Sequence, residues 1–150
     1  MTTDYIVFKD LASKEPWHIK RYVESWNWIK DLYYSSVLDM GGPSPFKEFL
    51  TRYAEIDVDS TDHDLSKRFE AENVYGLVTC MEVLEHIKDP DTGDAWTGSG
   101  MRNMLTYAHD SLQTNGHLFL TTPNVCCYRS VEKVLKGQHP YMFEPHEREL

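Results

Sequence analysis

Glu82, Glu85 and His86 fall within the run Glu82-Val83-Leu84-Glu85-His86. A carboxylate beside an imidazole can take a proton from a nucleophile. Glu85 and His86 are the candidate base; the plain alternative for His86 is a hydrogen bond that fixes its loop. A second group lies upstream in VLDMGGPSPFKEFL, where Asp39, Gly41, Gly42 and Ser44 follow the apolar pair Val37-Leu38. Paired glycines let a backbone approach a ligand closely, and the helix start beyond them offers free N–H donors to a carboxylate. The turn is read as the seat of a nucleoside cofactor. A third group begins about twenty residues past the turn, where an open α/β site grips ribose hydroxyls. Asp57 is the first choice there and Asp59 the second, with Asp62 and Asp64 following. Asp64 can reach an adenine amino group from the next loop. For each, the alternative is a solvated surface acid.

These residues need elements to hold them. Val37 and Leu38 end a buried strand, while Phe46, Phe49 and Leu50 start the apolar face of a helix. Tyr53–Val58 reads as a second strand with Ile56 and Val58 on one face. Val74–Met81 (VYGLVTCM) is a continuous apolar run that suits a strand buried on both sides of a parallel sheet. Met101, Met104, Leu105, Ala108 and Leu112 stripe a helix over 101–112, Asn115-Gly116 ends it, and His117–Thr122 forms the next strand. A short helix spans Arg129–Lys136, and the polar stretch 60–73 is short for a helix and strand. Residues before Lys14 carry little signal. Between Glu15 and Tyr34, Trp17, Tyr22, Val23, Trp26, Ile29 and Tyr33 recur near helical spacing, with Ser13 as a possible cap. That helix either packs on the core or lids the cofactor pocket. Strands alternating with helices predict a three-layer αβα sandwich on a mainly parallel sheet. It forms a single domain, with residues 1–35 as helical lid and 36–150 as core.

Composition narrows the partners. At 150 residues, with 41% hydrophobic side chains and a net charge of −9, the chain suits a globular domain and its field repels polyanions. A small-molecule acceptor is expected rather than nucleic acid, and no apolar run is long enough to cross a membrane. The three cysteines, Cys80, Cys126 and Cys127, lack C-x-x-C spacing and fit a reducing cytoplasm. The turn also separates cofactor classes. A pyrophosphate wants G-x-G-x-x-G and its N–H groups, whereas Pro43 and Pro45 remove two donors here. That argues for a ligand without phosphate and against a nicotinamide dehydrogenase.

From Val37 onward the chain resembles the class I S-adenosylmethionine-dependent methyltransferases, a Rossmann-like superfamily. VLDMGG resembles their first motif, YGLVTCMEVLEHIKDP their fourth strand with its E-V-L-E-H-x-x-D-P signature, and LQTNGHLFLTTPN their fifth strand. HPYMFEPHEREL resembles the segment that follows. The resemblance implies S-adenosylmethionine as cofactor, lined by Asp39, Gly41 and Gly42, with Asp57 at the ribose and Asp64 at the adenine edge. It places Met81 and Glu82 beside the methionine part, whose carboxylate would take Gly42 N–H and Ser44 in place of the missing motif glycines. Gly76 stands where the family commonly has an acid. The amino-methylating signature of two prolines and an aromatic is missing after the fourth strand, so a hydroxyl acceptor is expected.

Two variants accompany this reading. Glu82, Glu85, His86 and His146 resemble the ligand set of metal-assisted O-methyltransferases, so a divalent ion is possible although not favoured. The family's last two strands are also lacking from this sequence, which leaves the fifth strand at an edge. Either the chain is a fragment, or a homodimer mate or another partner covers that edge; a catalytically silent cofactor-binding module or fragment regulating a full-length partner is the non-enzyme alternative.

Overall fold

The structure, a computed structural model, describes residues 3–14, 16–42, 44–61, 63–90, 98–124 and 128–137. Helices are α1 (Thr3–Leu11), α2 (Ile19–Ile29), α3 (Pro45–Arg52), α4 (Ser99–Asp110) and α5 (Tyr128–Leu135). Strands are β1 (Ser36–Met40), β2 (Asp57–Ser60), β3 (Tyr75–Met81) and β4 (Leu112–Thr121). All pairings are parallel, in the order β2-β1-β3-β4. From β1 the chain crosses to β2 on one side and then to β3 on the other, so the strand order reverses beside β1. Open α/β sheets bind ligands outside the carboxyl ends of their strands at such a point.

Alternation along the strands divides the core in two. Val37 and Leu77 face a cluster built from Phe8 of α1, Tyr22 and Ile29 of α2, and Phe46, Phe49 and Leu50 of α3. Leu38, Met40, Val78 and Cys80 face the opposite side, where Met104 and Ala108 of α4 and Leu65 cover them. The sheet is thus covered on both faces, giving the three-layer Rossmann-like sandwich that the sequence predicts. β3 is buried at every position but its last, as a central parallel strand should be. Among the described residues β4 has no strand on its outer side.

Several boundaries differ from the sequence reading. The N-terminal stretch without clear signal folds into α1, and Phe8 sits at the heart of the core with its ring 4.1 Å from that of Phe49. α2 starts at Ile19 behind a 3-10 turn, Pro16–His18, and its N-cap residue is His18 rather than Ser13. Its buried face is Ile19, Tyr22, Ser25 and Ile29, while Trp17 and Tyr33 are exposed. The second strand begins later than Tyr53 because the exit of α3 occupies that stretch. Tyr53 N–H and Ala54 N–H bond to Phe49 O, and Glu55 turns the chain with φ 55°. Asn115-Gly116 lies inside β4, not before it. The β3–β4 register jumps from Tyr75↔Leu112 to Leu77↔His117, and Asn115 adopts φ 65° in the resulting bulge. Gly76 has a packing reason: a Cβ there would stand 2.8 Å from Tyr34 Cβ.

Candidate active site

β1 delivers Asp39 to the carboxyl end of the sheet, only 4% exposed. A carboxylate taken out of water needs donors. Thr79 of β3 donates to Oδ1 at 2.6 Å and Ser44 donates to Oδ2 at 3.3 Å. Ser44 Oγ also accepts from Lys47 N–H at 3.0 Å, so Ser44 is the N-cap of α3, with Pro45 placed where no N–H is needed. Lys47 reaches across to Ser60 Oγ at the end of β2. Burial still outweighs these partners and raises the Asp39 pKa to about 6, against the lowering pull of Thr79, Ser44 and the Lys47 charge.

The turn after Asp39 is held open by its two glycines in different ways. Gly41 has φ 125°, and a Cβ there would lie 2.5 Å from Val83 Cγ2. Its N–H is within 3.4 Å of Thr61 Oγ1. Gly42, at φ 88°, has no atom of the described residues within 4 Å of a notional Cβ and so borders open space among them. Asp39, Gly41, Gly42 and Ser44 are therefore one assembly. Met81 and Glu82 stand beside it, because β3 is the neighbour of β1.

The β2 acids are placed differently. Parallel register pairs Asp57 with Ser36 and Asp59 with Leu38, and the residue opposite Asp39 is Ser60. Asp57 therefore opens β2 instead of ending it, about 10 Å of strand away from the lip at 3.3 Å per residue. Asp59 accepts a 2.7 Å hydrogen bond from Tyr75, the residue that opens β3. With the second strand starting four residues after Tyr53, Asp57 falls at its amino end, and Asp59, one residue short of the position opposite Asp39, is engaged by Tyr75. Asp62 lies outside the described residues. Asp64 is exposed, accepts from Ser66 N–H at 3.1 Å and Ser66 Oγ at 2.6 Å, and its pKa is lowered by those bonds first.

Past β3 the chain bends at Glu82, which has φ 57°, a conformation unusual for a side-chain-bearing residue. Its N–H bonds to Thr121 O at 3.0 Å, and its carboxylate pairs with Arg21 of α2 at 3.2 Å. Glu85 and His86 follow in a 3-10 turn, Leu84–His86. The Glu85 side chain is 19% exposed and that of His86 62%, with 3.9 Å between Oε1 and Nε2. Desolvation is the main cause that raises the Glu85 pKa. A partly buried carboxylate with raised proton affinity suits a general base better than an exposed imidazole does. Among the described residues no three histidine, cysteine or acidic side chains are grouped to hold a metal ion. Glu82 is turned to Arg21, so the ligand set Glu82, Glu85 and His86 is not assembled, and His146 lies outside the described residues.

The rest of the signature is structural. Asp89 accepts from Gly100 N–H at 2.9 Å and Ser99 Oγ at 2.7 Å, and so caps the start of α4. A Cβ on Gly100 would come within 2.0 Å of Lys88 O, so α4 packs directly on the backbone of the motif. Thr79 and Arg21 were not anticipated as site residues. A hydroxyl within the apolar run VYGLVTCM was the available sign for Thr79; nothing local marked Arg21.

A family model described as "Methyltransferase domain" matches residues 35–148, from the start of β1 onward, and takes in every residue of the candidate site but Arg21. The chain belongs to the methyltransferase domain family. Two solved structures resemble this methyltransferase domain in outline. One is the N-methyltransferase NodS from Bradyrhizobium japonicum WM9 in complex with S-adenosyl-l-homocysteine. It is 16% identical, with 80% of this chain and 72% of that chain covered at a TM-score of 0.49. The other is NodS described without that ligand, 15% identical over 89% of this chain and 80% of that chain, at a TM-score of 0.46. No curated protein sequence matches the methyltransferase domain.

Proposed function

We propose that this domain transfers a methyl group from S-adenosylmethionine to a hydroxyl of a small-molecule acceptor. The observation that carries the reading is the open glycine at Gly42 beside the buried Asp39, at the reversal of strand order, in a chain of the methyltransferase domain family. The residues fit such a cofactor: Asp39, Gly41 and Gly42 line its methionine end, with Met81 and Glu82 on the β3 side. Ser44 contributes by holding Asp39 and α3, since its hydroxyl is engaged with both. With Asp57 opposite Ser36 and Asp59 bonded to Tyr75, we set the adenosine against Thr61 and Asp64, past the end of β2.

S-adenosylmethionine, when bound, supplies a methyl group already activated by its sulfonium charge. What remains for the protein is alignment of the acceptor and removal of its proton. Glu85 holds that proton at its carboxylate, favoured by burial, and His86 stands beside it toward solvent. The cluster around Glu82 and Glu85 is acidic and Arg21 beside it is paired with Glu82, which suits a cationic donor and a neutral acceptor.

Transfer of label from methyl-labelled S-adenosylmethionine to small molecules of a cell extract tests the activity. Labelled O-methyl product that disappears with Glu85→Gln is the expected result; label found only on nitrogen would overturn the hydroxyl assignment.

A further inference from the structure

Two buried polar atoms near Glu82 have no hydrogen-bond partner among the described residues: Arg21 Nε and Thr121 Oγ1. Buried donors are rarely left unpaired, so each asks what would satisfy it. They converge on one place. Glu82 holds Arg21 through its carboxylate and Thr121 through its backbone N–H. Thr121 pairs with Met81 across the β3–β4 ladder, two residues past Phe119. Met81 and Phe119 pack against the α1–α3 side of the sheet, and period-two alternation puts the Thr121 side chain on that same side. Arg21 approaches from α2 on that side, its guanidinium 5.3 Å from the Tyr22 ring centroid and a quarter exposed. The two atoms thus flank Glu82 at the carboxyl ends of β3 and β4, one strand over from the glycine turn.

The charges restrict what fits. Arg21 is already neutralised by Glu82, and Glu85 lies close enough to feel both charges. A further anion would meet two carboxylates for one guanidinium. A neutral oxygen, by contrast, can accept from Arg21 Nε–H and exchange a hydrogen bond with the Thr121 hydroxyl. We infer that Arg21 and Thr121 form an acceptor-recognition subsite for a neutral, oxygen-bearing group, with Glu82 positioning Arg21 through their ion pair. The helix α2 then serves the reaction with one residue of its outer flank while its other face packs the core. This inference rests on the methyltransferase reading, because it takes the β3–β4 end of the crevice as the acceptor's side.

The test uses three probes of one skeleton: benzyl alcohol, benzoate and benzylammonium. The full chain is labelled with nitrogen-15, and the Arg21 Nε–H resonance, assigned through Arg21→Lys, is followed during each titration with and without S-adenosylhomocysteine. Benzyl alcohol is expected to shift that resonance saturably, and benzoate at equal ionic strength is not. Thr121→Val, an isosteric change, should weaken the alcohol about fivefold, the scale of one hydrogen bond. Arg21→Lys keeps a charge for Glu82 but lacks the Nε–H, and should weaken it by a similar factor, read at the Thr121 amide. An Arg21 resonance indifferent to benzyl alcohol, or one that responds more to benzoate or benzylammonium, overturns the subsite. Calorimetry with S-adenosylhomocysteine on the same sample reports separately on the cofactor reading: its failure would remove the role in methyl transfer and leave the probe titration to decide the subsite.

Discussion

Thr79 of β3 donates a 2.6 Å hydrogen bond from its hydroxyl to the buried carboxylate of Asp39 on β1, tying the two central strands together beneath the glycine turn. The bond is short, yet burial dominates and pushes the Asp39 pKa up from 3.8 to about 6. A raised carboxyl pKa means that the folded state holds the proton more tightly than the unfolded state. Stability is therefore highest below about pH 4 as far as this group is concerned, and falls as pH rises through the window from about 4 to 6. The shift corresponds to about 3 kcal/mol at neutral pH. Asp39→Asn keeps an acceptor for Thr79 and removes the charge. It should gain about 1–3 kcal/mol at pH 7.5 in urea denaturation and flatten the decline between pH 4 and 6. A wild-type curve with no such decline would contradict the assignment. The same variant should bind S-adenosylhomocysteine more weakly, since a carboxylate kept at a cost in stability is expected to serve a ligand.

Glu85 carries the proton-transfer claim. Its pKa lies above the ordinary carboxylate range, with desolvation as first cause and the Glu82 charge adding to it. The base must be deprotonated to act, so activity should rise with pH through a midpoint above that of a solvated glutamate. Glu85→Gln should lower kcat by about 10²–10⁴-fold and leave cofactor affinity unchanged. Equal losses in kcat and in cofactor affinity would instead make Glu85 a binding residue.

Much of this arrangement was legible before any coordinates, and what was not has particular causes. β3 could be read because a run as apolar as VYGLVTCM has few alternatives to a central strand. The Asp39 turn was legible because two adjacent glycines after a strand are hard to explain otherwise. α1 was opaque: it buries one large side chain fully, Phe8, and has no repeated apolar stripe. Phe8 matters through rings that come from α2 and α3, contacts that no local window contains. Asp57 was misplaced for a similar reason. A shift of a few residues in where α3 lets go of the chain moves every β2 side chain along the sheet, and only pairing with β1 fixes it. Arg21 and Thr121 are separated by a hundred residues of sequence, so only the fold could bring them to Glu82.

Asp89 and Gly100 test the structural half of the E-V-L-E-H-x-x-D-P signature. Asp89→Ala leaves the Gly100 N–H without its acceptor and should cost about 1–2 kcal/mol. Asp89→Asn retains an acceptor oxygen and should recover most of that loss. Gly100→Ala should cost about 1–3 kcal/mol through overpacking against Lys88. Denaturation curves for the three variants check the ranking, and an Asp89→Ala protein as stable as wild type would show that the cap is idle.

Gly42 separates binding from folding. With nothing among the described residues within 4 Å of its notional Cβ, an alanine there meets none of their atoms and suffers backbone strain at φ 88°. Gly42→Ala should thus lose about 1 kcal/mol of stability while S-adenosylhomocysteine affinity falls at least about tenfold, since the new methyl enters the ligand's space. Undiminished affinity would place the ligand away from this turn.

The most direct measurement is isothermal titration of the intact chain with S-adenosylhomocysteine and, separately, with NAD. One equivalent of S-adenosylhomocysteine should bind, and NAD should give no heat of binding, because a turn with a proline at the first helical position of α3 offers too few N–H groups for a pyrophosphate. Binding of NAD, or no binding of S-adenosylhomocysteine, would contradict the account at its centre.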